Sequence, residues 1–146
     1  MQQLTSLGER LVDHAADLRR KRQADLTTIL QHRARYAGRD DAALIDAIYG
    51  RGLTASEVAR LRDEHPRTTR RRVRQVVARL LSDRYREVLR ARDQWPPGRR
   101  AVADSCVLQG RSMRETAKCL GRSFHAVRRE MDIINALTVH GRKLTH

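Results

Sequence analysis

An all-α protein is the fold class predicted for this chain, with one long N-terminal helix followed by two three-helix units. Three observations carry it. Apolar residues recur at three- and four-residue steps along the chain, the period of a helix face. No segment offers the apolar–polar alternation of a strand. Glycines, prolines and hydroxyl residues fall between the apolar stripes, where helices start and stop.

Residues 3 to about 36 read as the first helix. Leu4, Leu7, Leu11, Ala15, Leu18, Leu26, Ile29 and Leu30 form a narrow stripe, "DLRRKRQAD" puts charge on the far face, and Gly38 supplies a stop. Such a seam calls for a partner helix. A two-fold homodimer is the preferred expectation, and a lid folded over the rest of the chain is the alternative.

From Asp40, "DDAALIDAIYGRG" is the next helix, with acids in the first turn where the macrodipole favours them. Gly50 and Gly52 end it. In "LTASEVARLRDEHP", Thr54 and Glu57 have capping-box spacing and open a short helix, and Pro66 forces the chain out of helix near His65. "TTRRRVRQVVARLLSDRYREVLRARDQW" then reads as one long helix capped by its threonines. Val73, Val76, Val77, Leu80, Leu81, Val88 and Leu89 form its buried side.

"QWPPGRR", residues 94 to 100, is the predicted internal boundary. The organisation is therefore an N-terminal helix over 1–38, a first unit over 39–94 and a second over 95–146. Beyond the boundary, "RRAVADSCVLQG", "SMRETAKCLG" and "SFHAVRREMDIINALTVHG" are three further helices.

The charge pattern points to a polyanion. Lys and Arg total 31 against 17 Asp and Glu, a net charge of +14. Residues 40 to 65 hold three basic and six acidic side chains, residues 66 to 92 hold ten and two, and residues 111 to 146 hold eight and three. Positive charge thus forms two blocks, not one terminal tail. Nearly all of it is arginine, which suits phosphate and the guanine edge.

Other classes lose support. Aromatic residues make up only 3% of the chain, too few for single-strand binding by base stacking, and Trp95 reads as a packing anchor between the halves. Cys106 and Cys119 lack metal-ligand spacing and read as buried free thiols in a reducing cytosol. His125 has no second ligand at metal spacing. The N-terminus lacks the apolar run of a signal peptide, and no apolar segment approaches membrane-spanning length. No cofactor loop or catalytic pairing appears, so no enzyme, cofactor or metal is expected, and the expected location is the cytoplasm, on the nucleoid.

The two halves share a plan of helix, glycine, short capped helix, turn and basic helix. Thr54 aligns with Ser112, Glu57 with Glu115, Ala59 with Ala117 and Leu61 with Cys119. Val73 and Val77 are then matched to Val127 and Met131, so that the step from Ala59 to Val73 is four residues longer than that from Ala117 to Val127. In the second half a small residue, Ala117, lets two helices cross closely. Gly121 permits the left-handed turn, and Val127 secures the second helix underneath.

On these residues, "GRSMRETAKCLGRSFHAVRREM" resembles the trihelical helix-turn-helix of transposase and resolvase DNA-binding domains and of Myb-like bacterial regulators. "IYGRGLTASEVARL" with "TTRRRVRQVVARL" resembles region four of sigma factors, a fold also used by phage late-gene activators. The resemblance implies a sequence-specific, double-stranded DNA-binding transcription regulator with two helix-turn-helix motifs. The sigma-like half implies RNA polymerase as a second partner.

Arg67, Thr68, Thr69, Arg70, Arg71, Arg74 and Gln75 would line the first recognition helix. Arg122, Ser123, Phe124, His125, Arg128 and Arg129 would lie at the start of the second. Base-edge contacts are expected from Arg71, Arg74, Gln75, His125, Arg128 and Arg129. The rival reading is a DNA-targeting accessory factor of a recombination, transposition, phage or plasmid system, since no carboxylate triad for strand cleavage can be picked out.

Overall fold

The computed structural model describes the backbone of residues 2–143, and side chains at Arg10 and over 14–139. It is all-α, with no strand among the described residues. The elements are α1 (Gln2–Ala34), α2 (Arg39–Ile45), α3 (Ala55–Leu61), α4 (Pro66–Leu80), α5 (Asp83–Ala91), α6 (Pro97–Ala103), α7 (Met113–Leu120) and α8 (Phe124–Lys143). Single π-helical turns, Asp46–Gly50 and Asp104–Leu108, prolong α2 and α6.

The long first helix is present, and among its described side chains only those of the last turns join the core. Leu30 and Ala34 are buried and Leu26 packs beside them, against α2 and α4. Ala15 and Leu18 are exposed, Leu18 by 43%, so the described part of α1 before Leu26 is no lid over the units. The side chains of Leu4, Leu7 and Leu11 lie outside the described residues.

Helix α4 starts three residues earlier than a cap at Thr68 implies. His65 is the N-cap, its Nδ1 accepting from the Arg67 amide at 3.1 Å, and Pro66 occupies the first helical position, where its missing N–H costs nothing. Pro66 thus opens a helix; α3 has already ended at Leu61.

The single long helix expected after it is two. α4 stops at Leu80, and Ser82 caps α5 by accepting from the Tyr85 amide at 3.2 Å. A hydroxyl followed by Asp83 was the signal of this break, masked by an apolar period that runs through it. The break turns α5 away from the first unit, and α5 packs chiefly on α8.

With that break in place the caps and turns of the two halves fall in register without a gap. The N-caps Gly38 and Pro96, the π turns opened by Asp46 and Asp104, and the N-caps Thr54 and Ser112 each stand 58 residues apart. The N-caps His65 and Ser123 keep the same step, as do the left-handed residues Asp63 (φ 53°) and Gly121 (φ 61°). The match of Val73 to Val127 is therefore corrected. Thr69 stands where Val127 does, Val73 where Met131 does and Val76 where Ile134 does. The turn is not longer. Thr69, a polar residue at an apolar position, displaced the alignment by one helical turn.

The inter-helix ties follow the same register. Asp41 on α2 pairs with Arg72 on α4 at 2.7 Å; 58 residues on, Arg99 pairs with Glu130 at 2.9 Å, with the charges exchanged. The apolar residues of both halves, from Leu30 to Ile134, form one continuous core, with Trp95 packed against it. The thiols depart from expectation, since burial follows helix face and not residue type. Cys106 is half-buried with its sulfur 3.1 Å from the Thr116 hydroxyl, and Cys119 is exposed.

Candidate nucleic-acid interface

The outward face of α4 is assembled by its period of about 3.6 residues. Thr69, Val76 and Leu80 point into the core. Arg67, Arg70, Arg71, Arg74 and Gln75 are left exposed along one side, and Thr68 is exposed in the first turn. Arg70 is braced by a hydrogen bond to the Ser56 hydroxyl on α3 at 3.2 Å.

Thr69 must be withdrawn as a DNA contact. It is fully buried, and its hydroxyl donates to Glu64 at 2.6 Å. Glu64 is in turn held by Arg62 at 3.2 Å.

On α8, Ser123 is exposed and caps the helix, its hydroxyl accepting from the Ala126 amide at 3.1 Å. His125, Arg128 and Arg129 are exposed on the turn and a half that follows. Phe124 is half-buried, its ring edge-on to His125. Arg122 is half-buried and donates to the Gly98 carbonyl at 3.3 Å, which ties the α7–α8 turn to α6.

The register lines these faces up. Arg67 corresponds to His125, Arg70 to Arg128 and Arg71 to Arg129, each 58 residues apart. Two further exposed cations keep the step and were missed on the sequence, Arg60 on α3 and Lys118 on α7. They became visible only when the repeat distance was known. One turn further on the copies part, since Arg74 corresponds to Asp132.

The carboxylates explain why these cations stay free. Asp41 engages Arg72 and Arg79, Asp104 engages Arg92 and Glu130 engages Arg99 where helices join, and Glu87 engages Arg90 one turn on along α5. The hydrogen bond from Arg92 to Asp104 also raises the guanidinium above its ordinary pKa. Arg67, Arg71, Arg74, Arg128 and Arg129 have no carboxylate partner among the described residues. The most buried carboxylates, Asp41 and Glu87, are matched by arginines within the structure, and positive charge is left on two helix faces.

Among the described residues no group of three or more His, Cys, Asp or Glu side chains could hold a metal ion. No described helix is long and apolar enough to cross a membrane. Searches by protein family, among curated proteins and among solved structures find no match to this chain.

Proposed function

We propose that this chain is a sequence-specific double-stranded DNA-binding transcription regulator, with α3–α4 and α7–α8 as two helix-turn-helix motifs. One observation carries the reading. The outward pairs Arg67/His125, Arg70/Arg128 and Arg71/Arg129 stand in register on two helices, with arginine kept at two of the three positions. A face maintained twice at the N-terminal end of a helix matches the way such helices enter a major groove. RNA polymerase is the second partner proposed for the sigma-like half, with the exposed Leu61 on α3 as a candidate contact.

Salt dependence tests the reading. Five engaged phosphates predict a log–log slope steeper than about −4 in a duplex gel-shift titration. A flat response would end the proposal. Within the interface, Arg128→Ala or Arg129→Ala should cost about 1–3 kcal/mol and relax specificity at one or two base pairs. Arg67→Ala should weaken all sequences alike. Equal losses on specific and random duplex for the first pair would count against base reading by α8.

The exposure of Leu18 and Ile29 on α1 favours a homodimer through that helix. Light scattering should give twice the chain mass, returning to the single-chain value in Leu18→Asp. A single-chain mass for the wild type at micromolar concentration would exclude it.

A further inference from the structure

The register exposes one place where the two units are built differently. In the first unit the seam between α1, the π turn and α4 is closed by Leu26, Ile48, Leu53, Val73 and Val77, all packed against the core. The corresponding residues of the second unit are Arg84, Cys106, Arg111, Met131 and Asn135. They line an open cleft of about 510 Å³ between α5 and α8, completed by Met113, Phe124, Arg128 and Asp132. Two leucines and a valine have become two arginines and an asparagine, and the seam has opened.

Arg84 is the unusual member. It is half-buried, and its Nε is sealed from solvent with no hydrogen-bond acceptor. Burial pulls its guanidinium below the ordinary value, partly opposed by Cys106. No ion pair joins Asp132 to Arg84, Arg111 or Arg128 among the described residues. A partly buried guanidinium without a counter-ion is unfavourable by desolvation, and an oxyanion relieves it. Three arginines against one carboxylate leave the cleft net positive, and Phe124 and Met131 wall one side.

We infer that this cleft is an oxyanion site, taking a phosphate group between Arg84, Arg111 and Arg128. The phosphate belongs either to a DNA backbone or to a free small anion. Arg128 is shared with the proposed DNA-reading face, so occupancy by a free anion would draw it away from DNA. The site itself does not depend on the DNA-binding reading.

The first unit supplies the test variants. Arg84→Leu and Arg111→Leu each install the residue that closes the seam in the other copy, and Arg114→Gln removes an exposed arginine outside the cleft. Thermal unfolding of the full chain is followed in inorganic phosphate against chloride at equal ionic strength and pH. At tenfold excess over Kd the wild type should gain about 3–5 °C. Arg114→Gln should keep the gain, and Arg84→Leu and Arg111→Leu should lose it. If Arg84→Leu does not fold, Arg111→Leu alone decides. No gain in the wild type, or equal gains in all variants, overturns the site.

Duplex binding by the same variants then identifies the source. A uniform loss of affinity in Arg84→Leu, with a salt slope smaller by about 0.9, assigns the phosphate to DNA. Unchanged duplex affinity beside a lost phosphate response assigns it to a free anion.

Discussion

Replacing Asp41 with alanine should lower the free energy of unfolding by about 3–5 kcal/mol, the range for breaking a buried ion pair from one side. Its carboxylate is only 4% exposed and accepts from Arg72 and Arg79, each at 2.7 Å. Arg72 is 48% exposed and can swing into solvent when the carboxylate is lost. Arg79 is 22% exposed and its Nε is already buried without an acceptor, so its charge would stay trapped and unpaired. In the second unit Leu137 occupies the position of Arg79, and the equivalent tie has only two members. The control is the neighbouring residue: Asp40 is 67% exposed in its pair with Arg62, and Asp40→Ala should cost about 0–1 kcal/mol. Urea unfolding at neutral pH reads both. An Asp41→Ala protein within about 1 kcal/mol of wild type would refute the clamp.

Truncating Tyr85 to alanine should cost a comparable amount, about 3–5 kcal/mol, as for other large buried aromatics. The ring is fully buried, and its hydroxyl donates to the Arg33 carbonyl at 2.7 Å. Arg33 in turn donates to the Leu80 carbonyl at 2.7 Å, so one residue pair joins α1 to α4 and α5. Tyr85→Phe keeps the ring and removes the donor; the Arg33 carbonyl still accepts from the Tyr36 amide at 3.1 Å, so the cost should be about 0.5–1.5 kcal/mol.

The tyrosine also sets an alkaline limit. Burial pushes the Tyr85 phenol well above its ordinary range, with Arg79 and Arg33 pulling partly the other way. A raised folded pKa means that the contribution is fully present below about pH 10, the unfolded value, and is lost as pH climbs towards the folded one. Stability should fall there by up to about 1.4 kcal/mol per pH unit. In Tyr85→Phe that component is absent, so the gap between variant and wild type should narrow above about pH 10. A gap that stays constant in alkaline urea titrations would contradict it.

Local chemistry was legible in the sequence wherever one residue type has one use. The helical class, the caps at Thr54 and Ser112, the left-handed Gly121 and the outward placement of Arg70, Arg71, Arg128 and Arg129 all follow from spacing and side-chain chemistry within a few residues. What a residue does when two uses compete was settled by the fold. Thr68 and Thr69 look like caps, yet His65 takes the cap and Thr69 goes inside, because Glu64 supplies the acceptor that makes a buried hydroxyl tolerable. Asp41 looks like a macrodipole acid but closes onto arginines 31 and 38 residues away, a pairing invisible to any local window. Ser82 ends a stripe that continues past it, since only packing on α8 shows that α5 leaves the first unit. The constant 58-residue register, and with it the cleft at Arg84, emerged only after those competitions were resolved. Sequence determines which faces are apolar and which are charged; tertiary contact decides which charges are consumed by partners and which remain for a ligand, because that depends on acceptors brought from distant helices.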